Sequence, residues 1–133
     1  MRSENGRMRI GFIEEQGVRL LLLDFSRMSE SAATLALIAE AKAFFLTQPK
    51  RKEILTLTDV SKMRFDNAVL NAFEDLIRHD EPWEKAVAVC GLVGIGLITF
   101  RAQNLVTGAR MHGFAKRAEA VAWLVKQASS AKS

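Results

Sequence analysis

The chain has 133 residues, of which 49% are hydrophobic and 26% charged, with a formal net charge of +4 and a pI of about 9.6. That size predicts one domain over residues 1–133, with flexible ends at 1–8 and 129–133, and the apolar content predicts a packed core rather than a disordered chain. The single cysteine, Cys90, excludes an internal disulfide, one cysteine with two histidines makes no metal cluster, and the mild, scattered positive charge marks no nucleic-acid surface.

Residues 9–14 are expected as a first strand, Glu15-Gln16-Gly17 as a turn and 18–25 as a second strand, so the pair predicts a hairpin. Leu20 to Leu23 is apolar at every position, which predicts burial on both faces of a sheet. Ser29 is a candidate cap for a helix over 30–47, with Leu35, Ile38, Ala39, Lys42 and Phe45 or Leu46 at helical spacing and Pro49 as its stop. Lys50-Arg51-Lys52 reads as a solvated connection, since no aromatic platform accompanies it.

Residues 54–59 form the third predicted strand, which alternates Leu with Thr so that its faces differ in polarity. Asp66 is a candidate N-cap for a helix over 67–79 with an apolar stripe of Val69, Leu70, Phe73, Leu76 and Ile77. Glu81-Pro82 is a turn, and Trp83 beside it is either exposed or packed across the sheet edge. The fourth strand is placed at 85–90, a third helix at about 95–106, a short fifth strand at 110–114 and a last helix at 115–128, with Ala118, Val121, Ala122, Leu124 and Val125 inward and Trp123 at its edge. The order ββαβαβαβα predicts an α/β fold: a five-stranded mixed sheet with four helices, placed on both faces by right-handed crossovers. No secretory signal is expected, and the longest apolar stretch, 86–100, is shorter than the ~20 residues of a membrane span. The expected setting is cytoplasmic.

One phrase occurs twice. Leu20-Leu21-Leu22-Leu23-Asp24-Phe25-Ser26-Arg27-Met28 returns 35 residues later as Leu55-Thr56-Leu57-Thr58-Asp59-Val60-Ser61-Lys62-Met63. Each copy is an apolar strand ending in Asp-x-Ser-basic-Met, the mark of two successive strand–turn–helix units in a parallel sheet. The repeat places Asp24 and Asp59 at the carboxyl ends of neighbouring strands, where open α/β sheets bind ligands.

Four phrases in this order resemble a bacterial family: Leu21-Leu22-Leu23-Asp24-Phe25-Ser26, Leu55-Thr56-Leu57-Thr58-Asp59-Val60, Ala88-Val89-Cys90-Gly91-Leu92-Val93-Gly94 and Glu119-Ala120-Val121-Ala122-Trp123-Leu124. The pattern, over residues 10–126, is similar to the SpoIIAA-like group of STAS-type domains (sulfate transporter and anti-sigma factor antagonist), whose topology is shared with CRAL-TRIO lipid carriers. The resemblance implies a non-enzymatic binding or regulatory module without a cofactor. In the antagonists an Asp-Ser-Ser-Gly at a helix start carries a phosphorylated serine. The matching stretch here is Asp66-Asn67-Ala68-Val69, with no hydroxyl at the acceptor position.

The candidate ligand-binding residues are Asp24, Asp59, Asp66, Gly91, Gly94 and Gly96. Paired carboxylates serve acid–base work or a divalent cation, while an Asp-x-Ser segment equally serves as a hydrogen-bonded turn, and whole-phrase repetition favours the turn. The run Gly91 to Gly96 before a helix suits an anion, although it lacks the P-loop Lys-Ser/Thr and the dinucleotide spacing. Leu92, Ile95 and Phe100 head a helix apolar on more than one face, explained by a homodimer interface, a lipid-like ligand or deep burial. Ser26 and Ser61 read as turn caps, His79 as a solvated dipole partner, His112 as a structural histidine and Cys90 as a small core residue that a helix start could activate. The leading expectation is therefore a binding module for a protein partner. The alternative is a carrier of a lipophilic or small anionic ligand. Nucleic acid, metal and catalytic residues are not expected.

Overall fold

A computed structural model describes residues 8–93 and 110–129. Its elements are β1 (Ile10–Glu15), β2 (Val18–Asp24), α1 (Ser31–Leu46), β3 (Ile54–Asp59), α2 (Asn67–Asp80), a 3-10 turn (Glu81–Trp83), β4 (Glu84–Cys90), β5 (Met111–Phe114) and α3 (Arg117–Ser129). Each boundary lies within two residues of its sequence expectation. The described residues hold three α-helices; the further helix expected at 95–106 lies outside them.

The sheet runs β1-β2-β3-β4-β5, with β1 antiparallel to β2 and the other neighbours parallel. The hairpin closes through Gln16 (φ 53) and Gly17 (φ 77), the two positive φ values of a tight two-residue turn. Helices cover both faces of the sheet as expected, but the α1 and α2 crossovers alone do not put them there. Right-handed crossovers between successive strands all return on the same side. Accordingly α1 and α2 share one face, and the other face is covered by α3, which follows the last strand.

Leu20 to Leu23 divide between the layers as their continuous apolar run requires. Leu21 and Leu23 pack with α1 and α2, and Leu20 and Leu22 pack toward α3. Full burial of a leucine contributes about 1.5–3 kcal/mol. Thr56 and Thr58 of β3 face the α1/α2 layer and are buried, so the polar side of that strand is not a solvent side.

Helix phases were partly legible. α1 buries Thr34, Leu37, Ile38, Ala41 and Phe45, whereas Ala39 and Leu46 are exposed, because apolar residues surround this helix and fix no phase. Ser29 does not cap it. The N-cap is Glu30, without a side-chain bond, and the Thr34 hydroxyl donates back to the Glu30 carbonyl at 3.0 Å. α2 buries Val69, Phe73 and Leu76 as expected, but Leu70 is exposed. α3 buries Ala120, Val121 and Leu124, while Ala118 and Ala122 face solvent. Among the described residues no helix is long and apolar enough to cross a membrane.

Candidate functional site

The carboxyl ends of β2, β3, β4 and β5 form one rim, on which Asp24, Asp59, Cys90 and Phe114 stand in register. Asp24 and Asp59 are therefore direct neighbours across parallel strands, and both are buried. Each closes the same local turn. Asp24 Oδ1 accepts the Ser26 N–H at 3.0 Å and the Ser26 hydroxyl at 2.6 Å. Asp59 Oδ1 accepts the Ser61 N–H at 2.9 Å and the Ser61 hydroxyl at 2.5 Å. The basic residue that follows takes a left-handed conformation in both copies, Arg27 at φ 63 and Lys62 at φ 57. The turns also lie side by side: the Arg27 N–H donates to the Ser61 carbonyl at 2.8 Å, and the Arg64 N–H to the Met28 carbonyl at 3.0 Å. The repeated phrase is one Asx-type turn built twice.

Each rim carboxylate also has a cation. Arg9 Nη1 lies 3.8 Å from Asp24 Oδ1 and donates to the carbonyls of Asp24 and Ser26. Arg117, at the start of α3, reaches Asp59 Oδ2 at 3.4 Å. Such contacts offset part of the cost of burying a carboxylate. Among the described residues no three His, Cys, Asp or Glu side chains are grouped to hold a metal ion. Cys90 is fully buried, and burial, then the Asp59 charge, push its thiol up to about 12, so it is a core residue and not an activated thiol.

Gly91 adopts φ +90, and a Cβ there would lie 2.4 Å from Ser61 Oγ and 2.5 Å from Ser61 N. Only glycine lets β4 leave the sheet against the second turn. Leu92 is half-buried against the α1/α2 core, and Val93 is 71% exposed. Gly94, Gly96, Ile95 and Phe100 lie outside the described residues.

Asp66 caps α2, accepting the Val69 N–H at 2.8 Å. That bond, then one from Ser31, holds its carboxyl below the usual range. Ala68 in the first turn is exposed. Phe65 (44% exposed) and Leu70 (47% exposed) occupy the positions before the cap and in the first turn that form a hydrophobic staple, with Phe65 leaning on Phe73 at 5.8 Å.

A second concentration of ionisable groups, missed in the sequence, lies at the opposite end of the sheet. Asp80 (2% exposed) ends α2 and Glu84 (3% exposed) begins β4. A register irregularity pairs Glu84 with Ile54 and Ala86 with Leu55, which turns Glu84 onto the α1/α2 face instead of the α3 face of Ala86, Ala88 and Cys90. There Glu84 Oε2 accepts the Thr56 hydroxyl at 2.8 Å and Oε1 meets Arg110 Nη1 at 2.9 Å. Arg110 also reaches the Ile77 carbonyl at 3.4 Å. His79 Nδ1 lies 2.7 Å from Asp80 Oδ1, with its ring stacked on Trp83 at 5.4 Å. His79 is thus part of a packed cluster, not a solvated helix end. Trp83 is buried and donates to the Gln48 carbonyl at 2.9 Å. In a five-residue turn these charges read as solvated, and no local spacing signals their burial. His112 is half-buried against Trp123 at 4.5 Å, and among the described residues its Nδ1 has no hydrogen-bond partner.

No family model and no curated protein matches the chain. Among solved structures it is similar to an anti-sigma-factor antagonist (STAS) domain protein from Planctomyces limnophilus, at 13% identity and a TM-score of 0.47, over 90% of this chain and 98% of that one.

Proposed function

We propose that this protein is a non-enzymatic binding or regulatory module that engages a protein partner at the carboxyl-end rim of its sheet. One observation carries the reading. The polar groups that could do chemistry on this rim, the Asp24 and Asp59 carboxylates, are tied into turns by Ser26 and Ser61, while Phe65, Leu70 and Val93 stand exposed at the same end. A rim with committed carboxylates and exposed apolar side chains suits contact with a surface better than turnover of a substrate. Asp66, Gly91, Gly94 and Gly96 belong to the same proposed surface, with Leu92, Ile95 and Phe100 its apolar continuation in the chain. The phosphoacceptor position carries Ala68, so regulation of this rim does not run through a phosphoserine there.

The test is affinity capture with quantitative mass spectrometry, using the natural chain and a Phe65→Ser/Leu70→Ser variant shown to be folded. A protein enriched by the natural chain and lost with the variant supports the rim. Equal capture by both sinks it. Native mass spectra of the same preparations decide the competing carrier reading, since a subunit mass raised by a bound lipophilic or anionic compound would replace the partner with a ligand.

A further inference from the structure

We propose that His79, Asp80, Glu84 and Arg110 form a proton-operated latch that fastens the start of β5 and the head of β4 to the C-terminal end of α2. The argument begins with a charge count. Two carboxylates, both 2–3% exposed, share this part of the core, and among the described residues one guanidinium, that of Arg110, is in contact with them. Glu84 holds that guanidinium on Oε1 and the Thr56 hydroxyl on Oε2, so both of its oxygens have partners if it ionises. Among the described residues Asp80 has no guanidinium of its own, and it stands at the negative end of the α2 dipole. A surplus buried charge in that place is strongly disfavoured, so the His79–Asp80 pair retains a proton across its 2.7 Å contact.

The other ionisable groups around the cluster do not supply the missing charge from within. On α2, Asp75 and Arg78 are exposed; on α1, Lys42 acts on Asp80 from a distance and is bonded to Asp75. In the turn before β3, Lys52 is bonded to Glu81 at 2.5 Å and Lys50 lies over the Trp83 ring at 5.0 Å. Burial is the main cause that raises both Asp80 and Glu84 to about 8, with Asp80 adding to the rise of Glu84. Burial, then Lys42, lowers His79 from 6.5, which favours leaving the proton on the carboxyl.

The sign follows from proton uptake. A carboxyl raised in the folded state binds more protons than in the unfolded chain between its ordinary value, 3.8 or 4.5, and about 8. Stability from this cluster therefore falls as pH rises through that window. When the proton leaves, Asp80 and Glu84 repel each other across one guanidinium, and the seam between α2, β4 and Arg110 loosens. A backbone bond crosses this seam and can report on it: the Val87 N–H donates to the Arg110 carbonyl at 2.9 Å.

The experiment is residue-resolved hydrogen exchange on the natural chain and on Asp80→Asn, an uncharged mimic of the protonated acid, at pH values below and above the transition. After correction for intrinsic exchange rates, protection of the Val87 N–H is expected to drop about tenfold or more in the natural chain and by a clearly smaller factor in Asp80→Asn, where only Glu84 still titrates. No drop in the natural chain, or the same drop in both, overturns the latch. Carbon-detected NMR of the natural chain gives a second reading that does not depend on the variant folding. One carboxyl carbon of Asp80 or Glu84 should titrate near neutral or alkaline pH, and two carboxyls already ionised in mild acid would overturn the proposal.

Discussion

Asp24 and Asp59 occupy equivalent positions in sequence, register and hydrogen bonding, and each gives one oxygen to the serine two residues on. The sterically sensitive point on the rim is Gly91, where β4 has neither an aspartate nor a serine turn of its own and its backbone presses on Ser61. An alanine there meets both a left-handed backbone and a Cβ only 2.6 Å from Ser61 Cα. Gly91→Ala is expected to destabilise the protein by about 2 kcal/mol or more, from backbone strain and overpacking together. A urea titration measures it, and a midpoint equal to that of the natural chain would show that the turn relaxes freely.

At the scale of elements, the two crossover helices differ in how their ends are fixed. The N-cap of α1, Glu30, makes no side-chain bond, whereas the N-cap of α2, Asp66, accepts the Val69 N–H. Asp66→Ala is expected to lower stability and to speed hydrogen exchange in the first turn of α2, while Asp66→Ser keeps the cap. The ionised carboxyl also meets the positive end of the helix dipole. Its folded pKa lies below 3.8, so its contribution is present above that value and is lost as pH falls through the depressed one. In Asp66→Ser that part of the acid response should vanish. An unchanged acid limb would assign the response to other carboxylates.

For the whole molecule, the sheet joins two apolar layers, and each carries one tryptophan. Trp83 belongs to the layer under α1 and α2, and Trp123 packs on the layer under α3. The central strands contribute alternate side chains to both layers, so neither should melt while the other stays intact. Fluorescence of Trp123→Phe and Trp83→Phe, each reporting the tryptophan that remains, is expected to give one urea midpoint that coincides with circular dichroism of the same variant. Separate midpoints within one variant would mean that the layers unfold independently.

The amino-acid sequence by itself determined the periodic features. The double-faced leucine run, the Gln16-Gly17 hairpin, the repeated Asp-x-Ser turn and the Asp66 cap are local, because their partners lie within a few residues or follow from the strand period. Helix phase was legible in α2, where polar and apolar residues alternate, and illegible in α1, where alanines and leucines surround the axis. Tertiary structure alone decided the rest. That Arg117 meets Asp59, 58 residues earlier, and that Arg110 meets Glu84 follows from strand order, which no spacing encodes. That Glu84 is buried at all rests on a single register irregularity at the start of β4, which rotates one side chain from the α3 face to the α1/α2 face. Short-range chemistry is written in adjacent residues, whereas burial of a charge depends on which distant segments close over it.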